Sequence, residues 1–262
     1  MKTSPSLGRR FLRGAFCLTT ALVLLAGCRP APDDRVQGYV EGEFVYVSSP
    51  LAGTIEKLAV QRGQQVAAAA PLFALDGTLE QAARDQARAA LVLSEAEYTR
   101  QEKLYQMGPA AAQDFDRARS ARDQDRQRLA QSEWNLAQMK QAAPEAGLVY
   151  DTLFRQGEWA AAGKPIVSLL PPANIKVRAF VPETQVGSLQ VGEKARVTVD
   201  GVAETFDGKI SYISPRAEYT PPVIYSRESR SKLVFMVEIH FEPAVAAKMH
   251  PGQPVDVRFL GQ

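Results

Sequence analysis

The sequence predicts a mainly β fold with one inserted antiparallel α-helical coiled-coil hairpin. Three observations predict it. Two short runs starting at Pro50 and Pro144 are copies of each other, pairing Pro50 with Pro144, Gly53 with Gly147, Gly63 with Gly157, Pro71 with Pro165 and Leu75 with Leu169 at a constant offset of 94 residues. Between the copies, residues 78–141 read as helix, with the pair Gly108-Pro109 at the midpoint. After Pro171-Pro172 the chain turns to short alternating apolar segments punctuated by glycine and proline, the pattern of an all-β unit.

The first 27 residues read as a leader outside the fold. Lys2, Arg9, Arg10 and Arg13 precede the apolar run 15–26, which is too short for an ordinary membrane span. The run ends in Leu25-Ala26-Gly27-Cys28, which resembles a bacterial lipobox, so Cys28 is expected to be lipidated and to become the first mature residue. Residues 28–36 then form a polar tether. Cys28 would be the only mature cysteine, which excludes an internal disulfide. The formal charge of +2 includes four basic leader residues and no acidic one, so the mature chain stands at −2. No basic stripe of the kind nucleic acid requires is present, and that partner class is excluded.

Gln37 to Val47 reads as a strand, with Tyr39, Phe44, Val45 and Tyr46 as its β-prone residues. Thr54 to Val60 and Leu72 to Leu75 are strands of the first copy, separated by a turn at Gly63. Leu148 to Phe154 and Ile166 to Leu170 repeat the plan around Gly157. One copy is too small to bury a core, but two facing copies can. The helical stretch must therefore leave this β body and return to it. A hairpin with its tip at Gly108-Pro109 does so, because proline ends a helix and restricts the residue before it. Each arm of roughly 30 residues reaches on the order of 45 Å, which makes a projecting rod.

Thr78 with Gln81 has the pattern of a capping box, and Pro144 stops the second arm. The expected contact seam of arm two is Phe115, Ala118, Arg122, Asp125, Leu129, Ser132, Leu136 and Met139. Arm one offers Leu79, Ala83, Gln86, Ala90, Leu93, Glu97, Arg100 and Leu104 at matching heptad spacing. Beyond Pro172, strands are expected at 175–181, 191–199, 206–213, 233–241 and 255–260, with Pro215 to Lys232 as a long polar loop.

The paired Pro-x-x-Gly…Gly…Pro halves around a helical hairpin resemble the lipoyl-like hammerhead of the HlyD-type periplasmic adaptors, or membrane fusion proteins. The resemblance covers about residues 37–262. It implies a split barrel-sandwich hybrid over 37–77 and 142–172, a hairpin over 78–141 and a β-barrel domain over 173–262. A carrier subunit is disfavoured, since the rod replaces the hairpin that would present a modifiable lysine, while Lys57 and Lys164 lie inside the halves. His240 and His250 have no cysteine or paired acid nearby. The sequence therefore points to a non-enzyme with no cofactor and no metal site.

In the adaptor family an Arg–Leu–Ser trio at the hairpin tip docks to a TolC-like outer-membrane channel. The segment from Tyr98 to Asp116 is similar at Arg100, Leu104 and the pair Phe115-Asp116, whereas the serine position holds Ala111. The resemblance further implies an inner-membrane transporter, with the ABC type favoured by the compact plan. It also implies self-association into a ring, commonly a hexamer, and a periplasmic location with a lipid anchor in the inner membrane. Arg216, Tyr219, Tyr225, Arg227 and Arg230 of the loop 215–232 are the expected transporter contacts. The substitution at Ala111 keeps an alternative open: an envelope scaffold or binding lipoprotein that uses the same fold without forming a conduit.

Overall fold

The structure is a computed structural model and describes residues 34–108, 112–219 and 233–261. Strand β1 (Val36–Gly42) is followed by β2 (Val45–Ser48), β3 (Gly53–Leu58), β4 (Gln65–Val66) and β5 (Pro71–Leu75). The hairpin comes next, α1 (Thr78–Gln106) and α2 (Ala112–Gln138). Then follow β6 (Lys140–Ala142), β7 (Gly147–Thr152), β8 (Trp159–Ala160) and β9 (Pro165–Leu170). The remaining strands are β10 (Ile175–Pro182), β11 (Lys194–Val199), β12 (Thr205–Tyr219), β13 (Leu233–His240) and β14 (Pro254–Phe259).

The two sequence copies close on each other as one sandwich of two four-stranded sheets. The sheets have the orders β2-β9-β7-β4 and β6-β5-β3-β8. Each copy lends its shortest strand to the other, since β4 pairs with β7 and β8 pairs with β3. The 94-residue offset survives in the hydrogen bonds. Gly63 N–H donates to Val149 O at 2.8 Å, and Gly157 N–H donates to Ile55 O at the same distance. Both glycines have positive φ, 85° and 89°, which a turn residue without Cβ adopts without strain. The symmetry also pairs Gly163 (φ 74°) with Ala69 (φ 62°), the only non-glycine residue with positive φ among the described residues. Ile55, Leu72, Leu75, Met139, Val149, Ile166 and Leu169 fill the space between the sheets.

The closed barrel runs β1-β10-β13-β12-β11-β14. Every second residue of its strands faces inward, apart from the two irregularities of β12. Ile175, Val177, Ala179 and Val181 of β10 point into a core shared with Val40, Val197, Ile239 and Val257. Gly38 permits the close approach of β1 to β10, because a Cβ there would overlap the Arg178 carbonyl oxygen.

Here the structure corrects three expectations. The strand read over 37–47 is two strands in two bodies: β1 is the sixth barrel strand and β2 an edge of the sandwich, with the break at Glu43-Phe44. β-prone residues lie on both sides of the crossing, Tyr39-Val40 before it and Phe44 to Val47 after it, with no proline between them, so sequence alone does not show it. The long loop is also shorter than expected. β12 continues through Pro215 to Tyr219 and pairs with Phe235, Val234 and Leu233, with Pro215 accommodated at an irregularity between Ile213 and Ala217. Finally, no capping box forms. The N-cap is Gly77, which has no side chain to bond, and Asp76 just before it takes the first free donor, its Oδ1 accepting from Thr78 N–H (3.0 Å) and Thr78 Oγ1 (2.6 Å).

Candidate functional site

The hairpin leaves the sandwich where β5 ends and returns directly into β6, which pairs back onto β5. Leu75 N–H donates to Met139 O at 2.7 Å, so the two arms are tied together at their base. Gly77 lies against Met139 and Leu136, where an added Cβ would sit 3.3–3.4 Å from their side chains. Two ion pairs cross between the arms, Arg88–Glu133 at 3.3 Å and Arg126–Glu95 at 3.6 Å.

The seam of arm two matches its expected positions, with Ala118 buried and Phe115, Arg122, Asp125, Leu129, Ser132 and Leu136 half-buried. The seam of arm one is displaced by one position. It runs through Arg84, Ala87, Leu91, Ser94, Tyr98 and Gln101, with Ala87 and Ser94 buried. Leu79 and Leu93, expected inside, are 80% and 73% exposed. Small residues decide the register, because Ala87, Ser94 and Ala118 let the axes approach while a leucine seam would hold them apart.

Towards the tip the small seam gives way to rings. Phe115 stacks on Tyr105 with centroids 5.2 Å apart and 8° between planes, and lies 5.6 Å from Tyr98. The Arg122 guanidinium sits 3.9 Å from the Tyr98 ring centroid, and Tyr98 Oη donates to Glu102 at 2.8 Å. Asp123, which binds the same guanidinium, holds the arginine above its ordinary range. Sequence reasoning placed Phe115 and Arg122 on the seam but did not single out Tyr98 or Tyr105. The signal was the seven-residue spacing of the two tyrosines, which puts both on one face of α1 opposite Phe115.

Among the expected docking residues, Arg100 is exposed and paired with Glu97 at 3.0 Å. Leu104 is 37% exposed, beside Tyr105 and the more exposed Met107. Gly108, with φ 89°, begins the turn, and Ala111 lies outside the described residues. Leu104, Tyr105 and Met107, with Arg100 beside them, thus present apolar surface to solvent just before the turn.

At the other end of the sandwich a charged joint holds the barrel. Among the described residues two chain crossings link the bodies, at Glu43-Phe44 and at 171–174. Glu43 N–H donates to Asn174 O at 3.0 Å, and Asn174 Nδ2 donates back to Glu43 O at 3.1 Å. Lys176, 6% exposed, bridges Glu43 at 2.5 Å and Glu238 at 2.9 Å. Arg178 binds the same Glu238 at 3.2 Å and also Glu41. Burial pulls the Lys176 ammonium down, but the two carboxylates outweigh it and leave the group above the usual lysine range. The Lys176 hydrogen bond holds Glu43 below the ordinary glutamate value. Phe44, packed on the barrel core, meets Tyr150 of the sandwich with centroids 4.2 Å apart.

The barrel's far end collects the remaining expected features. β1 enters there at Val36, and the β12–β13 ribbon ends there with Tyr219 opposite Leu233. Arg216 is exposed on β12 and not in a loop. Tyr225, Arg227, Arg230 and Cys28 lie outside the described residues.

No family model matches the chain. It is 30% identical over 160 residues to a UPF0194 membrane protein of Acidithiobacillus ferridurans, covering 60% of this chain and 47% of that protein. It is 29% identical over 289 residues to a UPF0194 membrane protein of Enterobacter sp. (strain 638), covering 85% and 87%. The chain thus spans about half the length of the first relative and most of the second. Among solved structures, a MacA-MexA chimeric protein containing the Pseudomonas aeruginosa MexA α-hairpin domain superposes with a TM-score of 0.72 at 19% identity. That match covers 87% of this chain and 81% of the other. The fold is that of a membrane fusion protein. The membrane fusion protein Spr0693 of Streptococcus pneumoniae R6 agrees, with a TM-score of 0.66 at 19% identity over 87% of this chain and 99% of its own.

Within this adaptor fold the order of parts is fixed. The chain enters at the free end of the barrel, the charged joint links barrel to sandwich, and the rod carries Leu104 to the opposite pole. Among the described residues no helix is long and apolar enough to cross a membrane.

Proposed function

We propose that the protein is a periplasmic adaptor of a multipartite export system, anchored through a lipid on Cys28 in the inner membrane of a Gram-negative bacterium and performing no chemistry itself. The observation that carries this reading is the polarity of the molecule. Residue 36 enters the barrel at one pole, and the exposed tip around Leu104 stands at the other. The tether of eight residues from 28 to 35 reaches at most about 28 Å, which keeps the barrel's free end close to a lipid surface.

In this reading the β12–β13 ribbon, with Arg216, Tyr219 and the segment containing Tyr225, Arg227 and Arg230, meets an inner-membrane transporter of the ABC type. Arg100, Leu104 and the turn at Ala111 meet a TolC-like channel. Copies assemble as a ring, a hexamer by family resemblance.

The test is affinity capture from envelope extracts with the full-length protein and a Leu104→Asp variant. Recovery of an outer-membrane channel and a transporter with the wild type, and of the transporter alone with the variant, is the expected result. Recovery of neither by the wild type would replace this reading with an envelope scaffold that forms no conduit, which Ala111 in place of a serine hydroxyl favours.

A further inference from the structure

The displaced seam of α1 leaves a surface that neither the hairpin nor the sandwich uses. Gln86 is ringed by Ala82, Ala83, Ala89 and Ala90 at helical spacings of three and four, and Leu79 and Leu93 stand seven residues to either side. All of these are exposed except the half-buried Ala90. The result is a shallow, uncharged notch of small residues around the Gln86 side chain, with leucines about 21 Å apart marking its two ends along the axis.

The second arm carries the complementary shape. Trp134 is 50% exposed, and its helical neighbours Ala130, Gln131, Ala137 and Gln138 are uncharged. Nineteen charged side chains decorate the two arms, yet neither patch contains one. The interhelical pairs fix the heights. Glu133 is level with Arg88 and Arg126 with Glu95, so Trp134 stands level with Ala87, about one residue or 1.5 Å from the centre of the notch.

We infer that Trp134 of one copy seats in the Gln86 notch of a second, parallel copy, giving the ring proposed above a defined contact. Both patches exist on every molecule at one height, so side-by-side copies standing on the same membrane bring them together without axial shift. The notch lies about 32 Å below the tip, out of reach of a partner that docks there. The contact joins two different surfaces, so it is head-to-tail and propagates until it closes. A half-buried indole entering this notch of small residues is the large-into-small packing that carries most of the energy of an interface.

The inference rests on the ring reading, and the experiment separates the two. The chain has two tryptophans, so a Trp159→Phe background leaves Trp134 as the single reporter. Sedimentation velocity and tryptophan emission would be followed against concentration in the full-length protein in detergent. The expected result is concentration-dependent assembly with a blue shift of Trp134, weakened at least about tenfold by Trp134→Ala and also by Ala89→Arg, which fills the notch. A circular dichroism melt checks that each variant remains folded at the temperature of the assay. Assembly that proceeds equally well in both variants would overturn the notch and leave the ring standing. A wild type that stays monomeric throughout would overturn both.

Discussion

Replacing Lys176 by methionine tests whether the charged joint holds the barrel on the sandwich. Methionine keeps the apolar stem and removes the ammonium, so packing changes little. Two carboxylates then lose a partner, unequally. The Glu43 side chain is 59% exposed and turns to water at small cost, worth at most about 1 kcal/mol. The Glu238 side chain is only 13% exposed and retains Arg178 at 3.2 Å, so it is left partly compensated. Removing one partner of a fully buried pair costs about 3–5 kcal/mol, and the remaining arginine brings the expected loss to about 1–3 kcal/mol. The assay is urea unfolding of the mature protein with the midpoint read by circular dichroism.

The pH dependence supplies a second readout. Glu43 is depressed below its ordinary value of 4.5, so its contribution is present above that pH and lost as pH falls through the lower folded value. Lys176 is raised above 10.5, so its contribution is complete below that pH and lost as pH climbs through the higher folded value. The stability gap between wild type and Lys176→Met should therefore be widest from about pH 5 to 10 and narrow on both sides. A variant as stable as the wild type at pH 7, or a gap that does not change with pH, would refute the reasoning.

Ala69→Gly should stabilise the sandwich by about 0.5–1 kcal/mol in the same assay, since it relieves a left-handed alanine that costs more than glycine's added chain entropy. Its symmetry mate, Gly163→Ala, should destabilise by a similar amount. Gly38→Ala should open the barrel between β1 and β10, seen as accelerated amide exchange of Tyr39 and Arg178, which face each other across that seam, because the new methyl overlaps the Arg178 carbonyl. Asp76→Ala should raise exchange of the Thr78 amide at the start of α1, whereas Gln81→Ala should not, since Asp76 Oδ1 accepts that N–H and no capping box forms.

The internal repeat made the sandwich legible. An offset of 94 residues that brings glycine onto glycine and proline onto proline can persist only if both copies meet the same turns, and the mirrored bonds of Gly63 and Gly157 show that they do. The hairpin was equally legible, because Gly108-Pro109 is a local signal at the midpoint. Arm two's seam could be read from heptad spacing alone. Arm one's could not. It offers two apolar stripes one residue apart, and a period-based reading follows the leucines. The structure follows Ala87 and Ser94, because contact with Ala118 and ring packing at Phe115 are properties of the facing helix. The joint was hidden for the same reason. Glu43, Lys176 and Glu238 are separated by up to 195 positions and carry no motif.

Local chemistry, written in consecutive residues, was enough to set the helical hairpin, the turns of the two copies and that the copies belong together. Tertiary structure alone decided that β1 serves the barrel and not the sandwich, which face of α1 is left to solvent, and which charges lock the two bodies. Each of those outcomes depends on the surface that a distant segment presents, and neither period nor composition records it.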